Sequence, residues 1–147
     1  MKLINQEISF ALRIAGYQFP HLANEPYDSN WLIIELNVTT SQGSWAVSDP
    51  CLLTQEVSEL ANWLDKIAAN DLNDRQCSFL EPVLEFRLTE HNQEESLEVL
   101  FHNNVLPPSI TKSNSYSIFF PLSDVNLSSA ANDLRKQLTK YPQRTEK

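Results

Sequence analysis

Apolar and polar residues alternate along several short runs of this chain, which is the pattern of half-buried β-strands. In the first run, residues 6–15, the apolar face consists of Ile8, Phe10, Leu12 and Ile14. Further strands are expected over residues 31–40, 44–48, 77–89 (with an interruption at Pro82), 96–101 and 116–120. Residues 41–43 form a turn, so an antiparallel hairpin is the natural pairing of the second and third strands. Pro50 is expected to mark a corner after the third strand.

Two other segments follow the helical period, with apolar residues three or four positions apart. The first helix is expected to begin at Thr54, a residue type that caps helix N-termini, with Glu56 in its first turn. Its apolar stripe consists of Val57, Leu60, Ala61, Leu64, Ile67 and Ala68. The second helix is expected from about residue 124 to residue 140, with Ser123 as its cap. Its stripe consists of Leu127, Ala130, Ala131, Leu134, Leu138 and Tyr141.

The order of these elements, three strands, a helix, three strands and a helix, indicates an α+β fold. We expect an antiparallel sheet of about six strands, bent or split in two, whose apolar face is covered by the two helices. No repeat, low-complexity tract or linker divides the chain, so residues 1–147 are expected to form a single domain. The ordered core should cover about residues 6–141, and residues 142–147 should form a frayed basic tail.

The size and composition of the chain are those of a protein with a core of its own. A domain of 147 residues buries roughly 68–70% of its unfolded surface, and 41% of these residues are hydrophobic. No apolar run approaches 18 residues, which argues against a membrane span. The first residues lack the apolar segment of a signal peptide, so a cytoplasmic location is expected. In that reducing compartment Cys51 and Cys77 are expected to be free thiols.

The charge of the chain is negative and unevenly distributed. The net charge is −8, from 11 basic and 19 acidic residues. Residues 135–147 hold five basic residues and one acidic residue, whereas residues 1–134 hold 6 basic and 18 acidic residues, a charge of −12. A body this acidic repels nucleic acid, whose binding requires lysine and arginine. It favours a basic protein surface as partner, although solubility alone also explains an acidic surface.

Several kinds of site are excluded or disfavoured by residue counts and spacing. With only Gly16 and Gly43 in the chain, neither a P-loop nor a dinucleotide-binding fingerprint exists, so no nucleotide cofactor is expected. His21, His91 and His102 lack the spacing of metal ligands, so no metal is expected. The GxSxG motif of serine hydrolases is absent.

Two enzymatic alternatives stay open at the level of sequence. Cys51 near a helix start could be an activated thiol with a histidine as base, although an inert packed thiol is the simpler interpretation. Two carboxylate pairs could perform acid–base work: Glu81 with Glu85, expected on the same face of a strand, and Asp49 with Glu56, on either side of the helix start. The simpler interpretation is that Glu81 and Asp49 accept backbone hydrogen bonds or pair with an arginine.

Four segments together resemble one known family: residues 27–32 (YDSNWL), 44–52 (SWAVSDPCL), 79–86 (FLEPVLEF) and 141–144 (YPQR). Their order and spacing, from about Phe10 to Arg144, are similar to those of the WapI-type immunity proteins, the partners of wall-associated polymorphic toxins. One loop departs from the pattern of that family. Ser109 stands where a tryptophan would follow the two prolines, and Asn103 and Asn104 replace an acidic residue before them.

The resemblance implies a non-enzymatic cytoplasmic protein that binds and neutralises a cognate toxin, often a nuclease. It implies no catalytic residue, cofactor or metal. The acidic body agrees with this role, because the active site of a nuclease is cationic. The alternative function is a small adaptor or scaffold domain that binds another protein partner.

For a basic partner, the candidate contacts are carboxylates of the acidic face, with aromatic side chains as anchors. The candidate carboxylates are Asp28, Asp49, Glu56, Glu59, Glu81, Glu85, Glu94, Glu95 and Glu98. The candidate anchors are Trp31, Trp45 and Trp63. Core packing is the alternative role of the tryptophans. Hydrogen bonding within turns is the alternative role of Asp28 and Asp49.

Overall fold

The computed structural model describes residues 1–144, which form eight strands and two α-helices. The strands are β1 (Lys2–Ile4), β2 (Ser9–Tyr17), β3 (Trp31–Thr40), β4 (Gly43–Leu53), β5 (Gln76–Cys77), β6 (Leu84–His91), β7 (Glu94–His102) and β8 (Ser115–Pro121). The helices are α1 (Thr54–Ala68) and α2 (Leu127–Lys140). The α+β class and the two helices are therefore as predicted.

The strands form two antiparallel sheets of four, in the orders β1-β2-β3-β4 and β5-β6-β7-β8. The sheet is thus split, but the expected count of six strands is wrong. The strand β1 is only three residues long, too short for an alternating pattern to be read. The strand β5 was predicted as the start of one strand over residues 77–89, which residues 78–83 interrupt. A short edge strand forms because it pairs with a neighbouring strand, and the local sequence pattern does not show that pairing.

The strand β4 runs past Pro50 to Leu53, where the sequence predicted a corner. Its register with β3 shifts between Leu32, which pairs with Leu52, and Ile34, which pairs with Asp49. Two residues of β4 therefore lie opposite one residue of β3, as in a β-bulge. A proline, which has no N–H group to donate, is accommodated at such a bulge in an edge strand. Pro50 bends the strand without ending it.

The inner faces of both sheets and one face of each helix belong to a single buried cluster. Phe10 of β2 lies 6.1 Å from Phe86 of β6 and 6.0 Å from Phe101 of β7, measured between ring centroids. The predicted stripes of α1 and α2 supply most of the helical part of this cluster. Within the described residues, no helix has both the length and the apolar character that crossing a membrane requires.

The helix α1 begins at Thr54 as predicted, but the N-caps of both helices are other residues than the predicted ones. Leu53 is the N-cap of α1, and the Thr54 hydroxyl donates instead to Oδ1 of Asn30, 3.1 Å away. Asn126, not Ser123, caps α2, and its side chain accepts a hydrogen bond from the Ser129 N–H at 2.9 Å. In α1 the tertiary contact to Asn30 takes the Thr54 hydroxyl away from capping, and in α2 the nearer polar residue Asn126 is the cap.

A side chain of α2 completes the edge of β2 beyond the end of β1. The Gln137 amide accepts a hydrogen bond from the Ile14 N–H at 2.7 Å and donates to the Leu12 carbonyl at 3.1 Å. One side chain thus makes the pair of bonds that a neighbouring strand would make. The edge of the first sheet is closed at this point by the helix.

The segment after α2 is clamped to the loop before β3. The buried Asn30 side chain donates to the Pro26 and Arg144 carbonyls at 2.9 and 2.8 Å and accepts from the Arg144 N–H at 2.7 Å. The Arg144 guanidinium stacks over the Tyr17 ring at 3.7 Å and donates to the Ser29 carbonyl. The part of the predicted basic tail that the structure describes, residues 142–144, is thus hydrogen-bonded to the loop before β3 through Arg144. Residues 145–147 of that tail lie outside the described residues.

The clamp gives a testable prediction on stability. Replacing the fully buried Asn30 by alanine (Asn30→Ala) leaves backbone groups of residues 26 and 144 without their partner, so we expect a loss of about 2–3 kcal/mol of unfolding free energy. Asn37→Ala is the matched control, because Asn37 is exposed on β3 and should change stability by less than about 0.5 kcal/mol. Chemical denaturation measures both. Equal stability of the two variants would contradict the clamp.

Candidate partner-binding surface

A groove of about 860 Å³ lies where the two sheets meet at their ends. Residues 4–8 and the turn of residues 40–42 form its wall on the first sheet. Residues 116–119 and Pro121 of β8 form the wall on the second sheet, and the β6–β7 turn contributes His91, Asn92 and Glu94. In that turn Asn92 and Gln93 have φ angles of 52° and 66°, as a two-residue type I′ hairpin requires.

The groove is lined by acidic side chains. Glu7, Glu94 and Asp124 line it, all three are exposed, and no lysine or arginine lines it. None of the three has an ion-pair partner within residues 1–144. An apolar contact is also available, because the Ile4 side chain is 57% exposed at the end of β1. The groove therefore suits a partner segment with positive charge and some apolar character.

A smaller pocket of about 220 Å³ continues this groove and contains Trp45. The Trp45 ring packs edge-to-face on Phe101 and Tyr116, with centroids 5.7 and 5.5 Å apart. Its Nε1 is buried and has no hydrogen-bond partner within the described residues. Ser109, where the sequence departs from the family pattern, lines the same pocket. Trp45 is thus half-buried, with its ring held by the core and its edge at the pocket.

A second acidic group lies at the end of β4. Burial raises the pKa of Asp49, while a hydrogen bond from the Asn104 side chain lowers it and the nearby Glu81 charge raises it further. Asp49 is half-buried and Glu81 is exposed. Within residues 1–144, neither carboxylate forms an ion pair with an arginine, so that part of the simpler interpretation is not met. The two carboxylates are neighbours, and Glu81 is the one that faces solvent.

Glu56 is the candidate carboxylate that accepts backbone amides. It is 7% exposed, and its two oxygens accept hydrogen bonds from the Leu53 N–H at 3.0 Å and the Leu80 N–H at 2.7 Å. Its carboxylate therefore ties the first turn of α1 to the loop before β6. Both of these hydrogen bonds join Glu56 to backbone amides of the same chain, so its primary role is to stabilise the fold.

Two further candidates, Glu85 and Glu98, belong to a network on the outer face of the second sheet. Glu85 accepts hydrogen bonds from Gln76 and from Nε of Arg87, the latter at 3.1 Å. The Glu85 hydrogen bond raises the pKa of Arg87. Glu98 is buried and accepts a hydrogen bond from the Ser117 hydroxyl at 2.7 Å. These two carboxylates are already satisfied by neighbouring strands.

The remaining candidates are dispersed over the molecule. Asp28 is exposed in the turn before β3, and Glu59 is exposed on α1. Glu95 forms an ion pair with Arg75 at 2.5 Å. Trp31 is half-buried at the start of β3.

Trp63 is buried, and its indole N–H donates to the Asp74 carbonyl at 2.8 Å. The structure therefore brings Glu94 and Trp45 to adjoining pockets and Asp49 beside Glu81. It leaves Asp28 and Glu59 elsewhere.

The groove acids Glu7 and Asp124 were missed by sequence reasoning. Both lie in turns, remote from Glu94 in sequence, and only the packing of the two sheets brings the three together. No local sequence signal marks them, because any exposed turn carries such residues. The stacking of His91 on Phe119, with centroids 3.8 Å apart, was equally hidden.

The surroundings of Cys51 do not favour nucleophilic chemistry. Burial, together with the negative charges of Asp49, Glu56 and Glu81, raises the pKa of its thiol to about 12. Cys51 and Cys77 are both free thiols.

Within residues 1–144, no three His, Cys, Asp or Glu residues are grouped so that they could hold a metal ion. Glu81 lies before β6, so it does not share a strand face with Glu85.

The state of Cys51 is testable by alkylation. Native protein at pH 8 should react with iodoacetamide at Cys51 about a hundredfold or more slowly than protein in denaturant, because the thiolate is scarce and buried. Mass mapping of the alkylated peptides gives both rates. Alkylation of native Cys51 at the rate of the denatured protein would reopen the thiol-enzyme alternative.

The two kinds of acidic residue on α1 give another prediction. Glu56→Ala should lower the free energy of unfolding by about 1–3 kcal/mol, because two amides lose their acceptor. Glu59→Ala is the matched control on the exposed face of the same helix, with an expected change below about 0.5 kcal/mol. Thermal and chemical unfolding compare the two. A destabilising Glu59→Ala with a neutral Glu56→Ala would invert this assignment.

The whole-chain comparison agrees with the resemblance in the four segments. No curated protein is similar enough to count as a match. The family described as immunity protein WapI-like matches residues 2–142, nearly the full length of the chain. The prediction of the family is thereby confirmed, and the protein belongs to the immunity protein WapI-like family.

Proposed function

We propose that this protein binds a cognate toxin domain and neutralises it, without catalysing a reaction. The match to an immunity protein family over residues 2–142 carries the proposal. We further propose that the toxin is basic, as nuclease domains are, and that the acidic surface described above recognises it. The proposed location of this encounter is the cytoplasm.

The charge balance at the surface supports a basic partner. Four arginines, namely Arg13, Arg75, Arg87 and Arg135, are paired with carboxylates of the same chain. Arg144 is directed at backbone carbonyls. Many exposed carboxylates have no ion-pair partner within residues 1–144, among them Glu7, Glu25, Asp28, Glu59, Glu81, Glu90, Glu94 and Asp124. The arginines are thus occupied. Within residues 1–144 the unpaired exposed carboxylates outnumber the five lysines that lack an ion-pair partner, so the unpaired surface charge is mainly negative.

An acidic protein of this kind is suited to compete with nucleic acid. A nuclease binds the phosphate backbone through lysine and arginine side chains. Carboxylates that face the same cationic surface attract it over distances near the Debye length, which accelerates encounter at low salt. Such complementarity also disfavours acidic partners. The proposed electrostatic interaction therefore both accelerates association and favours a cationic toxin over other partners.

The surroundings of the reactive side chains are consistent with binding alone. The Cys51 thiol is buried with a pKa of about 12, and the carboxylates of Glu56 and Glu98 are engaged in hydrogen bonds within the fold. The half-buried Trp45 is the aromatic residue best placed to act as an anchor, since its ring is already packed on Phe101 and Tyr116. Trp31, also half-buried, is the second candidate anchor.

Co-expression tests the proposed function directly. The toxin domain encoded directly upstream of this protein's gene should kill the host when expressed alone, and co-expression of this protein should restore survival. The two proteins should also purify as one complex. Killing that continues at equal expression, with no complex on gel filtration, would refute the proposal.

The electrostatic part has its own test. The association rate constant of the complex should fall by about tenfold or more between low and high salt, because steering is screened. Glu94→Lys should slow association, and Glu25→Lys is a control of equal charge change at an exposed residue that does not line the groove. A larger effect of Glu94→Lys locates the contact near the groove, and equal effects indicate steering by total charge. An association rate constant that changes neither with salt nor with either substitution would contradict an electrostatic encounter.

A further inference from the structure

Two four-stranded sheets have four edges, and three of these are short or obstructed. The edge strands β1 and β5 are three and two residues long. The turn Asn103–Val105 packs against β4, which Pro50 also interrupts at its bulge. The remaining edge strand is β8, with seven residues and a partner on one side only. Proteins normally shorten, cover or interrupt an exposed strand edge, so a long open edge suggests a use.

The pairing of the second sheet shows which backbone groups of β8 are free. The His102 N–H donates to the Val83 carbonyl at 2.8 Å, so the even-numbered residues of β7 face β6 and its odd-numbered residues face β8. In the antiparallel register Val99 pairs with Ile118, so the even-numbered residues of β8 bond to β7. The N–H and C=O groups of Ser117 and Phe119 consequently point away from the sheet.

These outward groups lie in the groove already described. Ser117 and Phe119 line it, and outside the pairing with β7 no hydrogen bond from residues 1–144 reaches their backbone. The next outward residue is Pro121, which has no N–H group and so leaves no donor unpaired. A strand rises about 3.3 Å per residue, so a segment of four to five residues would satisfy both positions.

The negative charge of the groove favours a basic segment as its binding partner. Glu7 and Asp124 lie on opposite walls, Glu94 lies at the β6–β7 turn, and no lysine or arginine lines the groove. A second copy of this acidic chain would bring like charges together. A partner segment that carries lysine or arginine would be attracted to all three carboxylates.

We propose that β8 accepts an extended, basic segment of the cognate toxin as a fifth strand of the second sheet. Backbone hydrogen bonds to Ser117 and Phe119 would fix the segment, and its cationic side chains would face the carboxylates of the groove. This inference rests on the proposed function, and it names the surface and the kind of segment that the partner supplies.

A pair of variants at one position isolates the backbone contribution. Ser117→Pro removes the outward N–H and blocks the edge, whereas Ser117→Ala keeps the N–H, and both lose the hydroxyl bond to Glu98 equally. We expect the dissociation constant for the toxin domain to rise at least about tenfold from Ser117→Ala to Ser117→Pro. Both variants should retain the far-ultraviolet circular dichroism of the parent. Equal affinities of two folded variants would overturn the proposal.

Amide hydrogen exchange of the unmodified protein makes the test independent of how Ser117→Pro folds. In the free protein the amides of Ile118 and Phe120, bonded to β7, should exchange slowly, and those of Ser117 and Phe119 should exchange fast. In the purified toxin complex Ser117 and Phe119 should become protected. A complex that leaves these two amides unchanged would overturn the β8 proposal.

Other outcomes separate the competing occupants. If Ser117 and Phe119 become protected in the free protein as concentration rises, with the mass of a dimer, the occupant is a second copy and the proposal is overturned. If no complex with the toxin domain forms at all, the proposed function itself fails. If the complex forms with β8 unprotected, the function stands and only the inferred surface is wrong.

Discussion

The two sheets bury their apolar faces in one shared core, and this constraint positions every surface feature of the molecule. Phe10 contacts Phe86 and Phe101 across the boundary between the sheets, and the stripes of both helices enter the same cluster. Because each sheet has only one apolar face to bury, the edges and the outer faces are left to interact with solvent or partners. The position of β8 beside the turns of the first sheet is a consequence of that shared core.

Buried polar side chains then fix how the loops join this core. Asn30 connects the loop before β3 to α1 and to the segment after α2, and Glu56 connects the start of α1 to the loop before β6. Residues 27–32, 79–86 and 141–144, three of the segments that carry the family resemblance, meet at these two points. The resemblance therefore lies largely in residues that hold the fold together, and the acidic groove is built from other residues.

The sequence predicted those parts of the structure whose signals are local. The alternating runs and helical stripes located both helices and the long strands, because burial of one face dictates their period. It failed for β1 and β5, for Pro50 and for both helix caps, where pairing with a distant segment decides the outcome. The roles of Glu56 and Glu98 were equally hidden, since a buried carboxylate and an exposed one have the same local sequence signature. Whether a strand lies at an edge is a property of topology, so β8 could not be singled out either.

The Gln137 amide that completes the edge of β2 also bears on aggregation. A molecule with long open edges on two sheets can pass strands from copy to copy and grow into a fibre, as heterologous contacts do when they fail to close. Here a side chain of α2 already occupies the backbone groups of Leu12 and Ile14, so the edge of β2 beyond β1 is closed to pairing with another chain. The helix thus protects this part of the first sheet from strand-to-strand aggregation, a hazard that a bare edge of the same length would carry.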